Sequence, residues 1–97
     1  MTTIEQLLSW AKPHSMNEGK RVTLENDNFI LSIVGGTRGL YGDFENDFEV
    51  AILDKSTNDF VTKMFFSVND DVLPYQKIED VSEMIEIVFS KTGFRVL

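Results

Sequence analysis

The chain has 97 residues, 42% of them apolar, no cysteine, and sixteen Asp and Glu against nine Lys and Arg, a formal charge of −7. That length supports one domain over residues 1–97, with a core large enough to need no disulfide or metal staple. Thiolate chemistry is excluded, and the acidic surplus argues against a sequence-independent binder of nucleic acid or of an anionic membrane.

Residues 3 to 12 read as a short helix, because Ile4, Leu7, Leu8 and Ala11 recur on one stripe with Trp10 at its edge. Thr2 and Glu5 have the spacing of a capping box, and Pro13 ends the helix because the residue before proline avoids the α region. His14, the single histidine, falls in a predicted exposed turn. With no Gly-x-Ser-x-Gly elbow in the chain, a Ser-His-Asp reading has no support.

Arg21 to Glu25 alternates like a half-buried strand, Asn26-Asp27 supplies a turn, and Asn28 to Val34 reads as a central strand with apolar residues on both sides. Gly35, Gly36, Gly39 and Gly42 follow. They lack the Gly-Lys-Ser/Thr and helix of a P-loop, so they read as a connection, with Arg38 and Tyr41 at its tip.

Phe44 to Leu53 reads as a third strand and Phe60 to Phe66 as a fourth, joined by a polar hairpin over residues 54 to 58. Asn69 to Tyr75 reads as a loop. Residues 77 to 91 predict the second helix: Ile78, Val81, Met84, Ile85, Val88 and Phe89 fall on one arc, and Glu79, Glu83 and Glu86 on another. Ile87 lies beside Glu83, outside the apolar arc. Gly93 suits the left-handed position after the helix, Phe94 can fold back on it, and the tail can add an edge strand. The order α-β-β-β-β-α predicts an α+β fold: a four-stranded antiparallel sheet with both helices packed on one face.

Charge is unevenly placed. Residues 1 to 42 carry four acids and four bases, whereas residues 43 to 97 carry twelve acids and five bases, the whole of the −7. Asp43, Glu45, Asp47 and Glu49 alternate, which on a strand puts them on one face about 6.6 Å apart. They are not an EF-hand, because loop positions six and twelve hold Phe48 and Asp54. Glu79, Glu83 and Glu86 form a second row, and Asp70 and Asp71 add charge in the loop between. No catalytic set, metal site or cofactor motif stands out. The candidate partner-binding residues are therefore Asp43, Glu45, Asp47, Glu49, Asp70, Asp71, Glu79, Glu83, Glu86 and Ile87.

A short cysteine-free chain with the segment Asp43-Phe44-Glu45-Asn46-Asp47-Phe48-Glu49 and the acidic helix Glu79 to Glu86 resembles the small acidic inhibitors made by bacteriophages. DNA-mimic anti-restriction and anti-CRISPR proteins belong to that group. The resemblance is one of outline and implies a non-enzymatic protein that occupies the basic nucleic-acid-binding surface of a host enzyme by partial DNA mimicry. The expected partner is a basic protein surface, not nucleic acid itself and not a membrane.

The alternative is a dimeric chaperone or immunity-type protein binding through an apolar sheet face, with Val61 and Phe65 exposed to build a homodimer. A small enzyme or metal protein is the remaining class. No run of 18 apolar residues and no basic, apolar leader occurs, so a cytoplasmic location is expected, in the host cytoplasm if the chain is phage-encoded.

Overall fold

The structure, a computed structural model, describes residues 1–13, 19–36, 44, 46–66, 70–89 and 93–97. Helix α1 is Ile4–Trp10, followed by strands β1 (Lys12–Pro13), β2 (Lys20–Glu25), β3 (Phe29–Gly35) and β4 (Phe48–Asp54). A one-turn helix α2 (Thr62–Phe65), strand β5 (Leu73–Gln76), helix α3 (Ile78–Phe89) and strand β6 (Arg95–Val96) complete the chain. The fold is α+β, as its sequence implies, with six strands and three helices rather than four and two.

The sheet runs β1-β2-β3-β4-β5, every pairing antiparallel, and β6 also pairs with β2. β1 takes the start of β2 (Pro13 opposite Lys20) and β6 its end (Leu24 opposite Val96). Two short strands from opposite ends of the chain thus cover one edge, which would otherwise present free backbone groups.

Register sorts the side chains. Val22 faces Ile33 and Leu24 faces Leu31 across β2 and β3, while Ile33 faces Val50 and Leu31 faces Ile52 across β3 and β4. These residues are buried, and Leu7 of α1 and the Val81, Met84, Ile85, Val88 and Phe89 stripe of α3 complete the same core. Partly buried Phe65 and Phe66 of the α2 region pack against it too, so all three helices serve this face. On the other face Arg21, Val34 and Glu49 form one cross-strand row, Thr23, Ser32 and Ala51 a second, and Glu25, Ile30 and Leu53 a third.

The helix α3 and its C-terminus match the periodicity. Gly93 has φ 69° and its N–H donates to the Phe89 carbonyl at 3.1 Å, and the Phe94 ring folds back to 5.4 Å from Phe89. The capping box of α1 lies one residue later than its spacing suggests: Thr3 Oγ1 accepts from the Gln6 N–H at 3.2 Å, and Gln6 Oε1 accepts from the Thr3 N–H at 2.9 Å. Thr2 is freed to donate its N–H to Ser82 Oγ at 2.9 Å, tying the N-terminus to α3.

Three sequence expectations are corrected. The third strand begins at Phe48, not Phe44. Phe44 has φ 62° and its N–H donates to the Asp47 carbonyl at 3.0 Å, closing a turn, so strand alternation does not run through these residues. Residues 60 to 66 are not a strand. Phe60 makes one bridge to Leu53, and the chain then turns into α2, with Phe65 edge-on to Phe29 at 5.0 Å. Val61 and Phe65 therefore pack on the core and do not form an open sheet face. The predicted loop before α3 contains β5, which takes the free edge of β4 across a bulge between Phe48 and Val50. Pro74 sits in β5, as proline does only on an edge strand.

Thr62 explains the switch. Its buried Oγ1 accepts from the Ile52 N–H at 2.9 Å and donates to the Asp71 carbonyl at 2.7 Å. A side chain thus completes the β4 edge where β5 ends. Two glycines are demanded by packing: a Cβ on Gly35 would stand 2.6 Å from the Phe44 nitrogen, and one on Gly36 2.4 Å from the Gly19 Cα. Gly39, Gly42, Arg38, Tyr41 and His14 lie outside the described residues. Among the described residues no helix is long and apolar enough to cross a membrane.

Two carboxylates that the sequence reading did not single out serve the fold. Glu25 accepts from Lys55 and lies 3.7 Å from Arg95, which also pairs with Asp27 at 3.5 Å. The Lys55 hydrogen bond holds the Glu25 carboxyl below its ordinary value. Asp54 is lowered chiefly by the hydroxyl and N–H of Ser56, in the turn after β4.

Candidate functional site

Helix α3 presents the largest set of candidate residues that the fold keeps together. Its first turn holds Glu79 and Asp80, where the helix dipole favours negative charge. Asp80 Oδ2 accepts the Lys77 N–H at 3.1 Å, satisfying one of the free donors at the helix start. Six residues of the helix are buried, five of them in the core, which turns Glu79, Asp80, Glu83, Glu86 and Ile87 outward. Ile87 is 46% exposed, an apolar residue one turn on from Glu83.

Other predicted site residues go elsewhere. Asp43 and Glu45 lie outside the described residues. Asp47 is half-buried and lies 3.7 Å from Lys77 at the head of α3. Glu49 follows Phe48 on β4 and stands opposite Val34, on the sheet face that the helices do not cover. Among the described residues of the strand row, Asp47 thus lies beside the head of α3 and Glu49 on the sheet face away from it. Asp70 and Asp71 are exposed. Asp71 is held at α2, its carbonyl accepting from Thr62 and its carboxylate 3.9 Å from Lys63.

Ion pairing separates these acids. Each described base after residue 46 has a carboxylate near it: Lys55 meets Glu25, Lys63 meets Asp71, Lys77 meets Asp47, and Arg95 meets Glu25 and Asp27. Glu79, Glu83 and Glu86 have no cation or hydrogen-bond donor among the described residues. Glu79 and Glu83 are four residues apart, a like-charge spacing that costs an isolated helix a few tenths of a kcal/mol.

Beside this ridge lies a groove of about 300 Å³ lined by Phe66, Leu73, Gln76, Asp80, Glu83 and Met84. The sequence reading did not assemble it, because Phe66 and Leu73 belong to segments assigned the wrong structure. The legible signal was Asp80 three residues before Glu83, which places two carboxylates on adjacent turns. Among the described residues no group of three His, Asp or Glu side chains is arranged to hold a metal ion. No family model matches the chain, and neither a curated protein nor a solved structure matches it.

Proposed function

We propose that this is a non-catalytic acidic binding protein that docks the outer face of α3 on a positively charged protein surface. The surface of an enzyme that binds nucleic acid is of that kind. The observation that carries the reading is the contrast in pairing: the described bases of the second half sit against other acids, while Glu79, Glu83 and Glu86 stay together, exposed and with no cation beside them among the described residues. A concentrated field of one sign speeds association with an oppositely charged partner and weakens with salt. Ile87 adds an apolar contact inside the charged ridge.

The reading does not use a phosphate-like repeat. Along the helix axis Glu79 and Glu83 are separated by about 6 Å, and Glu83 and Glu86 by about 4.5 Å, an uneven spacing. The even spacing expected from residues 43 to 49 required a strand that begins only at Phe48.

The test is copurification with tagged protein from the source-cell lysate at low and high salt, read by mass spectrometry. Reversal of Glu79, Glu83 and Glu86 to lysine should abolish capture of the salt-sensitive partner. Reversal of Asp59, an exposed acid in the turn after β4, should leave it. Equal capture by both variants refutes the reading.

A further inference from the structure

We infer that the groove between α3 and β5 is a recognition site for an arginine side chain, which, on the docking reading above, the basic partner supplies. Its chemistry selects that ligand. Leu73 and Met84 are buried and Phe66 half-buried, so the floor is apolar and carries one aromatic ring. The walls carry acceptors. Glu83 has no partner among the described residues, and Asp80 commits only Oδ2, to the Lys77 N–H. Gln76 donates through Nε2 to the Pro74 carbonyl at 3.0 Å, which leaves its Oε1 as an acceptor.

A ligand for this groove needs an apolar stem, a head made only of donors, and positive charge. Lysine and arginine alone among side chains meet all three. Asp80 and Glu83 are three residues apart on one helix, a Cβ separation of about 5–6 Å. A planar guanidinium can reach two such carboxylates with separate N–H groups while its face lies on an aromatic ring, whereas an ammonium is a point charge. A phosphate or carboxylate ligand would be repelled, and a purely apolar one would strip water from two carboxylates without replacing it. About 300 Å³ is the small end of ligand pockets, suited to one side chain.

The experiment is an NMR titration of the ¹⁵N-labelled full chain with N-acetyl-arginine amide, and separately with the lysine and norleucine amides. Saturable shifts are expected with the arginine probe at the backbone amides of Leu73, Tyr75, Gln76 and 80 to 84, smaller ones with lysine and none with norleucine. Glu83→Gln should weaken arginine binding roughly threefold to fivefold, as removal of one partly exposed charge pair does. The double change Glu79→Gln and Glu86→Gln, outside the groove, should leave the same shifts in place. Equal shifts with norleucine, or equal weakening by both variants, overturn the inference. So does the absence of localised shifts, even where reversal of α3 still abolishes partner capture, in which case the docking reading stands alone. Arginine binding that persists while capture ignores α3 supports the groove and removes the docking reading.

Discussion

Replacing Thr62 with valine probes the joint that sets the edge of the sheet. Valine matches threonine in shape but lacks the hydroxyl. The Ile52 N–H, which donates to Oγ1 at 2.9 Å in a buried setting, would be left without an acceptor. The Asp71 carbonyl would lose its donor at 2.7 Å. Oγ1 also lies 3.4 Å from the Ile52 carbonyl, but the single hydroxyl proton serves the shorter contact. An orphaned buried donor costs about 1–3 kcal/mol, and the Asp71 carbonyl, half-open to water, adds a smaller amount, for a total of about 2–3 kcal/mol. In a domain of this size that lowers Tm by roughly 10–20 °C. Thr62→Ser keeps the hydroxyl, removes one methyl group and should cost only about 1 kcal/mol. Urea unfolding followed by circular dichroism measures both, and hydrogen exchange at the Ile52 amide reports whether the joint opens locally. A valine variant as stable as the parent, or a serine variant worse than the valine one, would refute the reasoning.

Gly35→Ala should destabilise by about 1–3 kcal/mol in urea unfolding, because its Cβ meets the Phe44 backbone at 2.6 Å and neither side is a flexible chain end. Gly93→Ala should cost about 1 kcal/mol through its φ of 69° alone, since no atom lies within 4 Å of the added methyl. Leu7→Ala should cost about 2–5 kcal/mol, because Leu7 is the one fully buried anchor of α1, and circular dichroism should show a loss of helix with it. The folded pKa of Glu25 lies below its ordinary 4.5, held there first by Lys55. The Glu25–Lys55 pair therefore stabilises the fold above the unfolded value and loses that contribution as pH falls through the folded one. Urea midpoints should fall less steeply for Glu25→Gln than for the parent in that acidic window, and parallel profiles would count against the pair.

The helix α3 could be read from residues 77 to 91 because its periodicity and its hydrogen bonds are internal to the segment. Its terminal glycine, the returning Phe94 and the outward acids follow from the same geometry. β2 and β3 were legible for a related reason: the turn at Asn26-Asp27 brings neighbouring segments together, so the pairing is local. Residues 43 to 49 and 60 to 66 have strand-like composition, but composition cannot say which edge they meet. At Phe44 the close approach of Gly35 accompanies a turn, and at Thr62 a buried hydroxyl takes the place of a strand partner.

The candidate site divides along the same line. The acidic surplus, its confinement to residues 43 to 97 and the outward row Glu79, Glu83, Glu86 are properties of the chain itself. Which acids are ion-paired among the described residues depended on where Lys55, Lys63, Lys77 and Arg95 land. The apolar floor beneath Asp80 and Glu83 depended on how the chain from Phe66 to Leu73 folds back beside α3, which strand-like and loop-like composition does not fix. A helix face is set by the rotation from one residue to the next, whereas an ion pair or a groove needs partners whose distance in sequence says nothing about their distance in space.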